Sequence, residues 1–419
     1  MTRGHWRSRC GGRRAKARSC AEGDITMKRT ITPVHEVQTE WVHLHYAESS
    51  IFKEVYGFVG TQGTVNLEGV RYTPVGRPSK TLLVFMHPAS TLQLLPMPRE
   101  LARHGAHVLC AGSRYQRNDS ALIMENVVVD LGAYIRHAKE VWKYEKVVLV
   151  GWSGGGSLSL LYQSQAENPT ISTTPAGDPC SIKQAGLMPA DAFIFQAAHT
   201  GRARMLSEWI DPSVLDENDP DRIDPGLNLY ATTCRPPYSA DFLAAFRAGQ
   251  RARLRRRTAW VKETLETLRR KGGQEVERGF VTHRTMADPR FLDPTIEPND
   301  RPIGRCFMGI PETVNNGPVG IARFSTLRAW LSQWSPDDSN ADGVTCAKSL
   351  TVPFLAIEHS ADDAVPQSHV RQVFEAASAT DKSMTVLQGA THYFLGQPEM
   401  LQQAATICLD WLAERGLHD

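Results

Sequence analysis

An α/β protein with a mostly parallel central β-sheet, flanked by helices and carrying a mainly helical insertion, is what this 419-residue sequence predicts. Three observations carry that reading. Several short apolar runs lack the polar alternation of half-exposed strands, as strands covered on both faces do. Helical patterns separate several of them, and strand alternating with helix gives a parallel sheet. One long stretch, residues 201–346, breaks the alternation, which resumes at Val352.

The elements follow in order. "WVHLHY" (41–46) and "FVGTQGTVNLEGVRYTP" (58–74) read as β, with turns at the glycines. The buried-strand runs are "TLLVFMHP" (81–88), "HVLCAGSR" (107–114), "KVVLVGWS" (146–153), "DAFIFQAAH" (191–199), "VPFLAIEHS" (352–360) and "MTVLQGATH" (384–392). Helices are predicted over 95–105, 121–142, 156–166, 368–379 and 399–416, from apolar residues at helical spacing. The 201–346 segment is rich in Pro, Asp and Arg and holds a long helix at about 239–271. Short junctions at both ends favour an insertion over a separate small domain. The expected organisation is a basic, disordered leader (1–26), a first core part (27–200), a cap or lid insertion (201–346) and a second core part (347–419).

Composition bounds the function classes. A formal net charge of +2 gives no whole-protein attraction to nucleic acid or anionic membrane. The basic stretch "RAGQRARLRRRTAWVKETLETLRRKGG" is punctuated by glutamates and reads as a solvated helix face. No apolar run reaches the roughly 18 residues of a transmembrane helix. Eight scattered cysteines without C-x-x-C spacing suggest reduced thiols and a cytoplasmic location, not a zinc site. The N-terminus lacks the apolar region of a secretory signal.

The chemistry centres on "KVVLVGWSGGGSLSLLY" (146–162), where a buried strand turns into a helix. Gly151 and Gly155 flank Ser153 in a G-x-S-x-G pattern. A tight strand-to-helix corner leaves no room for neighbouring side chains and lifts the serine above the carboxyl edge of the sheet. The helix N-terminus favours negative charge there, and the Gly154 N–H would point at a developing oxyanion. The bland reading is a glycine turn that only allows close packing. A phosphate loop is disfavoured, because the lysine of its motif is missing. A serine hydroxyl needs a base, and the base an orienting acid. Both types follow later strands: Asp362 and Asp363 in "FLAIEHSADDAVP", and His392 in "VLQGATHYF".

The order Ser, Asp, His resembles the α/β-hydrolase superfamily over roughly 50–200 and 350–419. The resemblance implies a catalytic triad of Ser153, Asp362 and His392. The family commonly has Gly-x-x-Asp where this chain has His359, which keeps Asp363 as the alternative acid; either aspartate could instead cap the following helix. "FMHPAST" (85–91) resembles the family's His-Gly oxyanion loop with proline in place of glycine. Pro88 has no N–H, so the resemblance assigns the oxyanion hole to the Ala89 and Gly154 N–H groups. Trp152 and Tyr393 are candidate pocket residues, although packing accounts for them equally well; His87 is a further candidate, read as shaping its loop and not as taking protons. Arg114 and Tyr115 are further candidates near the cleft.

The implied activity is a serine esterase acting on a carboxylic ester, lactone or thioester of a small molecule, with no metal or organic cofactor. Amide or carbon–carbon bond hydrolysis uses the same triad, and a non-catalytic hydrolase-like binding protein is the reading from another class. The expected partner is a small-molecule substrate, without nucleic acid or membrane. The oligomeric state, a homodimer included, stays open.

Overall fold

In the computed structural model, residues 34–47 and 64–418 are described. The expected leader and the 58–63 part of the second β segment lie outside them. The described residues belong to one unit, Val34–Asp419. An eight-stranded sheet runs through it in the order β1-β2-β4-β3-β5-β6-β11-β12. The strands are β1 (Val37–Ala47), β2 (Thr64–Pro74), β3 (Thr81–His87), β4 (His107–Gly112), β5 (Lys146–Ser153), β6 (Ala192–Ala198), β11 (Phe354–His359) and β12 (Lys382–Leu387). Only the pairings of β1 with β2 and β2 with β4 are antiparallel. The other five pairings are parallel. The last strand lies at 382–387, upstream of its predicted range, so His392 sits in the loop beyond it.

Helices cover both faces of the sheet. They are α1 (Pro96–Arg103), α2 (Met124–Glu140), α3 (Gly154–Glu167), α9 (Gln367–Ala376) and α10 (Pro398–Ala413). One apolar cluster joins α2, α3 and α9 to the sheet, and a second joins α1 and α10 to its other face. The architecture is an α/β-hydrolase fold: a mostly parallel sheet with a serine at the sharp turn from β5 into α3.

Between β6 and β11 the chain forms α4 (Arg202–Trp209), the hairpin β7 (Val214–Asp216) and β8 (Asp219–Ile223), α5 (Ala240–Lys271), β9 (Gly279–Val281), α6 (Pro311–Asn316), β10 (Phe324–Thr326), α7 (Leu327–Gln333) and α8 (Gly343–Ala347). The β7–β8 hairpin and a short antiparallel pairing of β9 with β10 thus accompany its helices. Helix α5 starts where Ser239 accepts the Phe242 N–H and ends at Gly272, whose φ is +66°. Its buried side, including Phe246, Leu254, Val261, Leu265 and Leu268, repeats at three- and four-residue spacing. Leu254, Val261, Leu265 and Leu268 pack in one cluster with Trp330 and Trp334.

The basic run of α5 is largely spent on internal partners. Arg253 is buried, pairs with Glu217 at 2.8 Å and donates to the carbonyls of Asp211 and His283. Arg247 pairs with Asp288, Arg255 with Asp337, Lys262 with Asp338 and Arg269 with Asp178. The 201–346 segment is bound to the core through polar contacts as well. Buried Glu125 of α2 accepts from Ser332 Oγ and Asn340 Nδ2, both at 2.8 Å, while Ser332 Oγ accepts from the Met124 N–H.

At the turn from β5 into α3 strand and helix backbones pack in direct contact. A Cβ on Gly151 would lie 2.6 Å from the Gly156 Cα, and one on Gly155 would overlap the Met86 carbonyl oxygen of β3. Both obstacles are backbone and cannot swing away. Gly155→Ala is therefore expected to cost about 1–3 kcal/mol or more of stability, the range for an overpacked core. Urea unfolding at neutral pH measures it; a neutral result would mean that β3 and α3 can separate.

Candidate active site

Ser153 ends β5 with φ +53° and ψ −126°, a strained conformation for a residue with a side chain. The adjoining strand yields to it: the β5–β6 register slips after Trp152, and Ala197 is pushed to φ +44°. Among the described residues Ser153 Oγ has no hydrogen-bond partner. It opens instead into a cavity of about 260 Å³ that His392 also lines. The next residue, Gly154, begins α3, where a helix N–H has no intrahelical acceptor.

His392 is 1% exposed, and its Nδ1 lies 2.8 Å from Asp362 Oδ2. The other Asp362 oxygen accepts the N–H groups of Ala364 and Val365 at 2.7 and 2.8 Å. The carboxylate is thus fixed from both sides, and it directs the Nδ1 proton of His392 toward itself, leaving Nε2 as the basic nitrogen. Among the described residues Asp363 makes no hydrogen bond to His392, although it lines the same crevice as Asp362. Burial, and then the neighbouring Asp362 charge, push its pKa up. Neither aspartate caps the following helix, because the N-cap of α9 is Pro366. The turn made by Asp362 lies just before it.

His359 stands where the resemblance expects glycine, and it has a clear task. It is buried, its Nδ1 lies 3.1 Å from the Thr391 carbonyl and its Nε2 lies 3.2 Å from Gln196 Nε2. An Nδ1–H donated to Thr391 ties β11 to the residue before His392, and Gln196 of β6 donates to the opposite nitrogen. No short-range sequence signal marks this brace.

Trp152 packs on His392 with ring centroids 4.4 Å apart, and Tyr393 meets it edge-on at 4.7 Å. His87, Trp152 and Tyr393 all line the cavity, as expected of pocket residues. Arg114 does not: it is buried against Asp130 at 2.8 Å and donates to Tyr46. Tyr115 is part of the core under α2 and accepts from Asn126. The cleft role expected for this pair is therefore corrected, because Arg114 turns to the carboxylate of α2.

The oxyanion assignment is corrected in part. The Ala89 N–H is already used: it donates to His87 Nδ1 at 3.1 Å, and the Ser90 N–H joins it at 2.8 Å. Gly154 keeps its expected place at the helix start.

Most of the cavity roof was not foreseen. Arg202, Met205, Trp209, Phe307, Met308 and Trp334 come from the 201–346 segment. The Arg202 guanidinium pairs with Asp119 and lies over the Trp334 ring at 4.4 Å. His199, just past β6, accepts the Gly201 N–H on Nδ1 at 3.2 Å. Burial, followed by neighbouring histidines and Arg202, holds its pKa well below the ordinary histidine value. A larger hollow of about 800 Å³ beside α2 is lined by none of these residues.

No family model and no curated protein matches the chain. Among solved structures, it is similar to DcsB in complex with its substrate analogue, at 13% identity, with 90% of this chain and 99% of that one covered and a TM-score of 0.47. It is similar to a monoacylglycerol lipase from Paleococcus ferrophilus, at 13% identity, 83% and 98% coverage and a TM-score of 0.43. The esterase domain of a Rhodothermus marinus protein shares 12% identity over 90% of this chain and 98% of that one, with a TM-score of 0.41. Similarity this distant leaves function to be argued from this chain's own side chains.

His359 makes stability depend on pH. Burial lowers its pKa from 6.5 to about 4. The unfolded chain therefore takes up this proton first as pH falls. Stability is full above about pH 6.5 and drains away toward pH 4, by roughly 3 kcal/mol at about 1.4 kcal/mol per pKa unit. His359→Gln is expected to be less stable at pH 7 but to flatten this acid limb. Urea midpoints measured from pH 7 to 4.5 compare the two slopes; identical slopes would exclude His359 as a source.

Proposed function

We propose that this protein is a serine hydrolase that cleaves a carboxylic ester, lactone or thioester of a small molecule through Ser153, His392 and Asp362. One observation carries the reading: a strained serine at a helix N-terminus shares a cavity with a histidine already oriented by a buried carboxylate. Asp362 holds the Nδ1 proton of His392, so Nε2 takes the proton from Ser153 Oγ as the oxygen attacks the carbonyl carbon. The carbonyl π pair moves onto its oxygen, where the Gly154 N–H and the α3 N-terminus stabilise the charge. Collapse breaks the bond to the leaving group, which takes the proton from Nε2. Water, deprotonated by Nε2, then releases the acid and restores Ser153. This sequence calls for no metal or organic cofactor.

The 201–346 segment acts as a cap that sets the acyl specificity. Its aromatic and methionine side chains roof the cavity, and about 260 Å³ is near the lower end of small-molecule sites. Short acyl groups fit this volume. Amide and carbon–carbon bond hydrolysis demand the same triad and remain the second chemistry to assay. A binding protein without turnover has no use for the strain at Ser153. The internal ion pairs of α5 leave its basic run little charge for nucleic acid, and no helix among the described residues is long and apolar enough to cross a membrane.

A fluorophosphonate probe is expected to label Ser153 stoichiometrically and to lose its site in Ser153→Ala, as read by peptide mass mapping. Folded protein that resists labelling and turns over no ester, thioester or amide would overturn the proposal. On p-nitrophenyl esters, acetate and propionate are expected to exceed octanoate in kcat/KM. Asp362→Asn is expected to lower kcat by about 10⁴-fold, the cost of losing the tautomer in a related triad. Asp363→Asn should stay within a few-fold of wild type; the reverse ranking would move the acid to Asp363.

A further inference from the structure

We infer that the His87 side chain supplies the second oxyanion-hole donor, through its Nε2–H, in place of a backbone N–H of the loop after β3; this rests on the serine hydrolase reading above.

The backbone of that loop has no donor left to offer at its start. Pro88 has no N–H. The Ala89 and Ser90 N–H groups both donate to His87 Nδ1, at 3.1 and 2.8 Å. Those two contacts also settle the tautomer. A backbone N–H can only donate, so Nδ1 must hold a lone pair, and the proton of a neutral imidazole then sits on Nε2. Neutrality follows from the surroundings. His87 is buried, and desolvation, then the charges of Arg202 and His392, hold its pKa well below the ordinary histidine value.

Placement points the same way. His87 Nε2 lies beside the start of α3, so close that a Cβ on Gly154 would be only 2.7 Å from it. Among the described residues Nε2 has no hydrogen-bond partner, and His87 lines the cavity that holds Ser153. A donor beside Gly154 on a residue that lines the Ser153 cavity, anchored on its far side and kept neutral by burial, has the properties an oxyanion hole demands. The Gly154 N–H and His87 Nε2–H would grip the oxygen from the α3 side and the β3 side.

Two variants separate donation from loop anchoring. In His87→Asn, the amide oxygen can take over the Nδ1 role toward Ala89 and Ser90 but carries no donor as far out as Nε2. In His87→Gln, the amide N–H reaches the Nε2 position while the loop acceptor is lost. With p-nitrophenyl acetate as substrate and thermal unfolding as the check on folding, His87→Asn is expected to lose about 10²–10³-fold in kcat with little change in KM. His87→Gln is expected to regain a good part of that loss. Phenylboronic acid, whose adduct with Ser153 places an oxygen in the hole, should weaken in parallel with kcat. Wild-type-like kcat in folded His87→Asn, or a His87→Gln enzyme slower than His87→Asn, would overturn the inference. Should both variants unfold, nitrogen-15 imidazole NMR of the unsubstituted protein decides. The His87 Nε2–H resonance is expected to move downfield in the boronate adduct, and an unmoved resonance would overturn the inference. A wild-type protein that neither turns over the ester nor labels with fluorophosphonate would instead remove the hydrolase reading itself.

Discussion

Everything at the site depends on the backbone contact between β3 and the start of α3. Ser153 can take its strained conformation only because Gly151 and Gly155 let strand and helix backbones touch. That contact brings the end of β3, with His87, alongside Gly154. At the same corner the pairing of β5 with β6 slips, and Ala197 takes a φ of +44°. Strain of this kind costs of order 1–3 kcal/mol and persists only where the surroundings over-determine it. Here the surroundings are the fully buried strands β3 and β6 and the buried face of α3.

Around Ser153 the polar groups are fixed in layers. Asp362 is held by two backbone N–H groups and in turn holds His392. His359 holds the carbonyl just before His392, and Gln196 holds His359. Histidines 87, 199 and 359 are all kept neutral chiefly by burial, and each has a ring nitrogen bonded to backbone. Three imidazoles that line the Ser153 cavity, and His359 behind His392, are thus set apart by the different partners of their ring nitrogens. Such preorganisation spares the reaction the reorganisation that water would need.

The 201–346 segment shows how a polar, arginine-rich sequence packs. Its guanidinium groups find carboxylates and carbonyl oxygens inside the fold, as buried charges must. Arg290 joins Asp288, Glu208 and Glu297, and Glu208 reaches His369 of α9. This network ties α4, which carries Arg202 and Met205 into the cavity, to the second half of the core. The roof of the site is therefore held by ionic as well as apolar contacts.

Local patterns in the chain are enough for the alternation of strand and helix, the long break in it over 201–346, the glycine corner at Ser153 and the chain order of serine, aspartates and histidine. Those features are local: strand and helix periods, turn glycines and motif spacing extend over a few residues. Only the tertiary structure decided between two adjacent aspartates, of which Asp362 meets His392 Nδ1. It redirected the Ala89 N–H to a side chain two residues away and Arg114 to Asp130, while the glycine-site histidine became a brace. It also chose which residues of the 201–346 segment line the Ser153 cavity, roughly 50 residues or more along the chain. Each of these depends on how separate segments approach one another, and that is set by packing of the whole core and its buried charges, not by any short pattern.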